Sequence, residues 1–231
     1  NRMPYTATWL GYDSPVPVDK SSSHGTHVTG IMLGLDTAYS DTIGVAPGAY
    51  FIATDPIVSN LDYVKPLSEL MLGFEWALNP DGDITTFDDV PDVINNSWGR
   101  DNNVVDQDWI LCSEVVINTM NAVQAAGIAN VFSAGNEGPN AGTIGIPHNI
   151  NTGLVNSFTV GAVNGSLTSL PIANFSSRGP SLCGGDGSLL IKPEVVAPGV
   201  NVRSAVGNGR APPSRASPCR RPAPRRRRDR P

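Results

Sequence analysis

The sequence predicts an α/β domain built on a mostly parallel sheet, and three observations lead there. Residues 92–99 read as a short strand ending in polar and small residues. A long helical segment follows, with Trp109, Ile110, Val116, Ile117, Met120 and Val123 on its apolar face, and then a second strand at 128–132. Strand, long helix, strand is the pattern of a right-handed crossover between parallel strands. Both strands run into small polar turns, Ser97-Trp98-Gly99 and Ser133-Ala134-Gly135-Asn136-Glu137-Gly138, where a parallel sheet commonly places its functional loops. With 231 residues and 40% hydrophobic content the chain can bury one sizeable core, so one domain is the default count.

Taken in order, residues 1–23 are polar and turn-rich without a clear period, and read as a surface approach loop with no apolar strand. Ser23-His24-Gly25-Thr26-His27-Val28-Thr29-Gly30 then opens a small-residue segment, continuing to Gly34, that predicts a buried core helix able to pack closely against a neighbour. His24 stands at its mouth, and a near-neutral pKa suits an imidazole held there to general-base work. A lone histidine is more often a surface or satisfied core group. His24 and His27 are three apart, as zinc ligands can be, but no glutamate lies between them and no third ligand is evident.

Residues 50–53 have the length and aromatic content of a strand. Residues 66–79 carry apolar side chains at 67, 70, 71, 74 and 78, an amphipathic helix with Pro66 suited to its first turn. The acidic stretch 79–92 has oxygen ligands for calcium, but not the spacing of an EF-hand, and a solvated loop is the simpler reading. Ala125-Ala126-Gly127 stops the long helix. Beyond it strands and loops alternate through 157–163, 173–180 and 192–200, with no internal repeat.

No run approaches the roughly 18 apolar residues of a membrane-spanning helix, and the first residues lack the apolar centre of a signal peptide. The expectation is a soluble chain whose start is a cut. Cys112, Cys183 and Cys219 are too few and too scattered for a disulfide framework or a metal cluster, and their odd number does not reveal the compartment. The net charge of −5 hides a division: residues 1–209 hold 7 of 16 basic and 20 of 21 acidic residues, a balance of −13, whereas 210–231 hold nine arginines and Asp229, a balance of +8. An acidic body with few lysines suits a secreted enzyme better than a nucleic-acid binder.

In this order the segments resemble the subtilisin-like serine proteases, the subtilases. His24-Gly25-Thr26-His27-Val28-Thr29-Gly30 is similar to the family's histidine motif, and Ser133-Ala134-Gly135-Asn136-Glu137-Gly138 to its oxyanion-asparagine motif. Asn95-Asn96-Ser97-Trp98-Gly99 resembles its substrate-binding strand, and residues 192–200 resemble the approach to its serine. The spellings look closest to the bacillopeptidase F branch. The resemblance spans about residues 5–209 and implies a doubly wound sheet with helices on both faces, incomplete at both ends here. It implies His24 as general base and Asn136 as side-chain oxyanion donor, although Gly-Asn-Glu-Gly alone would read as a turn. Ser97, Trp98 and Gly99 would pair with substrate backbone, and Ser133, Ala134 and Gly135 would line the adjoining pocket. Trp98 could equally be plain core.

The chain also departs from the family. It has no Asp-Ser/Thr-Gly motif upstream of His24, and Asp13 and Asp19 sit in turn-rich sequence. No Gly-Thr-Ser-Met-Ala-x-Pro occurs, and Ser204, Ser214 and Ser217 lack its context. After about residue 209 the composition turns to Arg, Pro, Ala and Ser, either a disordered basic tail or GC-rich coding sequence read in a shifted frame.

The expectations are therefore residues 1–209 as a partial catalytic domain, 210–231 as the tail, and a secreted serine endopeptidase fragment, inactive as written. It would be a monomer acting on proteins or peptides, with no membrane or nucleic-acid partner. No cofactor is required for the chemistry, no metal ligand is assigned, and structural calcium remains possible but without a site. The alternatives are a catalytically dead peptide-binding module and a basic-tail nucleic-acid binder.

Overall fold

A computed structural model describes residues 8–18, 23–38, 40–57, 65–102, 111–153, 155–183 and 185–207. Its elements are β1 (Trp9–Leu10), α1 (His24–Leu33), β2 (Leu35–Asp36), β3 (Asp41–Thr42), β4 (Ala53–Thr54), α2 (Leu67–Ala77), β5 (Val93–Asn96), α3 (Glu114–Ala125), β6 (Ala129–Ser133), β7 (Phe158–Val163), a 3-10 turn at Gly187–Leu190 and β8 (Val195–Pro198). The centre is a four-stranded parallel sheet in the order β5-β6-β7-β8. The β5-α3-β6 crossover predicted from the sequence is present, and Trp109 and Ile110 of that reading lie outside the described residues.

The apolar stripe of α2 buries Leu67, Leu70, Met71, Phe74 and Ala77, and that of α3 buries Val116, Met120 and Val123. Both stripes meet Ile128 and Phe132 at β6 in one core cluster. Alternation follows from the two-residue period of a strand: Thr159, Gly161 and Val163 of β7 are buried, while Phe158, Val160 and Ala162 are only half-covered. On that second face Val93 and Val195 stay exposed, at 57% and 45%.

Four expectations need correction. Residues before His24 do contain a strand: β1 pairs in parallel with β4, and the register of Trp9 with Ala53 is reinforced by the Thr54 hydroxyl on the Leu10 carbonyl at 2.7 Å. Two residues are too few to show a period in sequence. The strand read at 50–53 shrinks to Ala53–Thr54, because Tyr50 and Phe51 are exposed and face no partner strand among the described residues.

Helix α1 is half-buried rather than a core helix, with Gly30 its only buried residue. It packs along a single ridge of glycines. An added Cβ on Gly30 would lie 2.3 Å from Ser204 Oγ, and one on Gly34 would lie 2.5 Å from the Gly30 carbonyl and 2.7 Å from Ile43. Finally, Cys112 and Cys183, 71 residues apart, form a disulfide with a Cα–Cα distance of 5.2 Å. An odd count of three cysteines and a 71-residue separation did not mark this pair in the sequence.

Candidate active site

The parallel register sets Asn95 opposite Val131 and Asn96 opposite Phe132, so Ser97 and Ser133 leave the sheet side by side at its C-terminal edge. Asn96 is buried at 3% exposure, yet its amide is satisfied by Asn130 Oδ1 at 2.7 Å, which fixes the end of β5 to β6. Trp98 Nε1 donates to Asn96 Oδ1 at 3.2 Å, and its ring lies 6.0 Å from Phe132 and 6.4 Å from Phe74. Trp98 is thus anchored in the core cluster while Ser97 and Gly99 continue the strand outward. Beyond them, Arg100 and Ile146 exchange two backbone hydrogen bonds of 2.8 Å, an antiparallel bridge that ties this extension to the loop at Ile146.

The facing wall follows β6. Ala134 is buried and its N–H donates to Val160, which carries the wall onto β7. Gly135 then turns the chain with φ +103°, a conformation side-chain-bearing residues rarely adopt; a Cβ there would sit 2.6 Å from Glu137 Oε2 and 2.7 Å from Ser177 Oγ. Glu137 Oε2 accepts the Asn136 backbone N–H at 2.7 Å and the Ser177 hydroxyl at 3.1 Å, and Ser177 Oγ accepts the Glu137 N–H at 3.1 Å. This closed ring holds the Asn136 backbone while the residue itself is exposed. Sequence reasoning missed Glu137 and Ser177 as its braces. The only signal was Glu137's place inside the motif; Ser177 comes from 40 residues away.

His24 is the first residue of α1, on a different element from the two walls, and is half-buried. Burial, followed by the proximity of His27, holds its pKa below the ordinary histidine value. The helix is tied down by the segment leaving β8. His27 Nε2 lies 3.2 Å from the Val202 carbonyl, Ser204 Oγ donates to the His27 carbonyl at 2.6 Å, and the Gly207 N–H donates to Ser23 Oγ at 3.2 Å. Arg203 grips Asp41 with two bonds of 2.5 and 2.8 Å. Ser204, without the sequence context of a nucleophile, is therefore a helix tie. Ser214 and Ser217 lie outside the described residues, as does Asp19.

Two buried polar features were not foreseen. Lys192, with its side chain 1% exposed, pairs with Glu194 at 2.6 Å and donates to the Ser157 carbonyl, while Glu194 accepts from both Thr159 N and Oγ1. Burial lowers the lysine's pKa against the opposing pull of Glu194. His148, 1% exposed, accepts the Gly145 N–H on Nε2 at 2.9 Å. Nothing in a one-dimensional pattern marks an isolated histidine or a Lys-Pro-Glu as buried. No group of three His, Cys, Asp or Glu is arranged to hold a metal among the described residues, and no described helix is long and apolar enough to cross a membrane.

The profile of the Subtilase family (Peptidase_S8) matches residues 5–223. Bacillopeptidase F of Bacillus subtilis is 37% identical over 199 residues, covering 80% of this chain and 12% of that protein. Subtilisin E of Bacillus subtilis is 30% identical over 195 residues, covering 84% of this chain and 41% of its own length. The chain thus spans well under half of these relatives. Among solved structures, sphericase superposes with a TM-score of 0.62 at 26% identity, covering 80% of this chain and 55% of that one. The S41 psychrophilic protease gives 0.59 at 27% identity, covering 79% and 54%. With the profile spanning nearly the whole sequence and the same parallel α/β sheet in its structural neighbours, this chain belongs to the subtilase family of serine peptidases.

Proposed function

We propose that this chain carries the substrate cleft, the general base and the oxyanion donor of a secreted serine endopeptidase, and that as written it binds extended peptides without cleaving them. The observation that carries this reading is the side-by-side exit of residues 97–99 and 133–136 from adjacent parallel strands. An extended peptide laid along Ser97, Trp98 and Gly99 would add as a further strand, with its scissile residue over Ser133, Ala134 and Gly135. Asn136 would offer its exposed amide to the developing oxyanion, and His24 would move the proton between the nucleophile and the leaving amine.

Cleavage needs an aspartate to orient His24 and a serine to attack, and neither family motif occurs in the sequence. Loss of the serine alone costs about 10⁶-fold in turnover in subtilisin itself. The Cys112–Cys183 disulfide supports an oxidising, extracellular setting. Residues 1–209 are read as the partial catalytic domain and the arginine-rich segment as separate from it.

Two measurements test the proposal. Fluorescence anisotropy with a labelled decapeptide should show saturable binding to the chain with no hydrolysis. A chimera supplying the aspartate strand and serine segment of Subtilisin E around residues 8–207 should hydrolyse that peptide. His24→Ala should abolish turnover, and Asn136→Leu should lower kcat about 10²- to 10³-fold, the size known for this donor in subtilisin. An active chimera indifferent to both substitutions would overturn the assignment.

A further inference from the structure

His148 touches the strand extension at Gly99, the core at Phe132 and the returning loop at Gly145, and the proposed reaction does not use it. Its ring stacks at a tilt on Phe132, the last core side chain of β6, with centroids 6.0 Å apart. On one side is the substrate-strand extension: a Cβ on Gly99 would come within 2.2 Å of His148 Cε1, so the ring packs directly against the bare backbone there. On another side is the returning loop, whose Gly145 N–H donates to Nε2 at 2.9 Å, just before Ile146 bridges to Arg100. The Ala134 backbone of the second wall faces the ring closely enough to favour its proton.

An imidazole that accepts at Nε2 while buried and uncharged must carry its hydrogen on Nδ1. Nδ1 makes no hydrogen bond of normal geometry. We propose that His148 is a positioning residue for the substrate cleft: as the neutral Nδ1–H tautomer it sets the spacing between the 97–100 extension and the 133–135 wall by filling the space beneath Gly99 and holding the Gly145 amide. It touches no substrate and acts through Gly99 and Ala134. The proposal rests on the peptide-binding reading for its consequence, and on the ring contacts alone for its geometry.

The test compares the full chain with His148→Gln, whose side-chain oxygen can still accept from Gly145, and His148→Leu, which fills similar space but cannot. Binding of a fluorescein-labelled decapeptide with a central phenylalanine is read by anisotropy. Histidine ring ¹⁵N–¹H correlation spectra report the tautomer, and amide exchange at Arg100 and Ile146 reports the bridge. We expect an Nδ1–H signal on His148, peptide binding weakened about tenfold or more in His148→Leu, as unpairing a buried donor implies, and recovery of most of it in His148→Gln.

Faster exchange at Arg100 and Ile146 should accompany only the leucine variant. A proton on Nε2, or unaltered exchange and affinity in a folded His148→Leu, overturns the proposal. If the unsubstituted chain binds no peptide, the peptide-binding reading fails instead, and the tautomer and bridge exchange still decide the role of His148. Should His148→Leu fail to fold, the tautomer in the unsubstituted chain, with binding and exchange in His148→Gln, decides: a proton on Nε2, or loss of affinity in a folded His148→Gln, refutes the spacing role assigned to the acceptor.

Discussion

Lowering the pH from about 7.5 to about 4 should remove stability through His148. Burial, and then the nearby charge of Lys192, hold its pKa down to about 3 in the folded state, against about 6.5 in the unfolded chain. The charged group that bears on the ring is Lys192, which is itself paired with Glu194. Above the unfolded value neither state holds the extra proton and the full contribution is present. As the pH falls through 6.5 the unfolded chain takes up the proton first, so folding weakens steadily until the folded ring is also protonated near 3. Over this interval the linkage amounts to about 3 kcal/mol, an upper value because any loosening around the ring lets the folded state protonate earlier.

Carboxylates titrate in the same range, so the quantity to measure is a difference. Urea unfolding would be followed by tryptophan fluorescence, with Trp98 packed 6.0 Å from Phe132 as a nearby reporter, for the chain and for His148→Gln at each pH. On acidification the histidine chain should lose about 3 kcal/mol relative to His148→Gln, because only its unfolded state has this proton to take up. Parallel curves would refute the claim that a neutral, buried His148 is built into the fold.

Other consequences follow from the same geometry. Replacing Cys112 and Cys183 by serine opens a 71-residue loop and should cost about 4 kcal/mol by chain entropy, seen as a lower urea midpoint that reducing agent reproduces in the parent chain. Gly135→Ala should cost about 1–3 kcal/mol in stability, since φ +103° is retained only under strain and the new methyl displaces Glu137; undiminished stability and peptide affinity would argue against the ring that holds Asn136. Lys192→Met strands Glu194 in a low-dielectric site and should destabilise by about 3–5 kcal/mol, with Lys192→Met/Glu194→Gln recovering part of the loss in a double-mutant cycle. The half-covered second face of the sheet, with Val93 and Val195 exposed, should make the chain poorly soluble; a monodisperse product with a cooperative melt would contradict this.

The sequence alone determined what rests on local pattern. The stripes of α2 and α3, the crossover between β5 and β6, and the turn-rich ends of those strands were legible because helix and strand periods place apolar side chains at fixed spacings. The motifs around His24, Ser97 and Asn136 pointed to the family. Tertiary structure decided what depends on residues distant in the chain. The two-residue strand β1 exists only because β4 lies beside it, and α1 is half-buried because a single glycine ridge meets residues 204–205. The disulfide joins residues 71 apart, and the ring around Asn136 needs Ser177 from another loop. Whether a histidine at 148 is solvated or sealed under Gly99 is fixed by desolvation and packing, and these act through space rather than along the sequence.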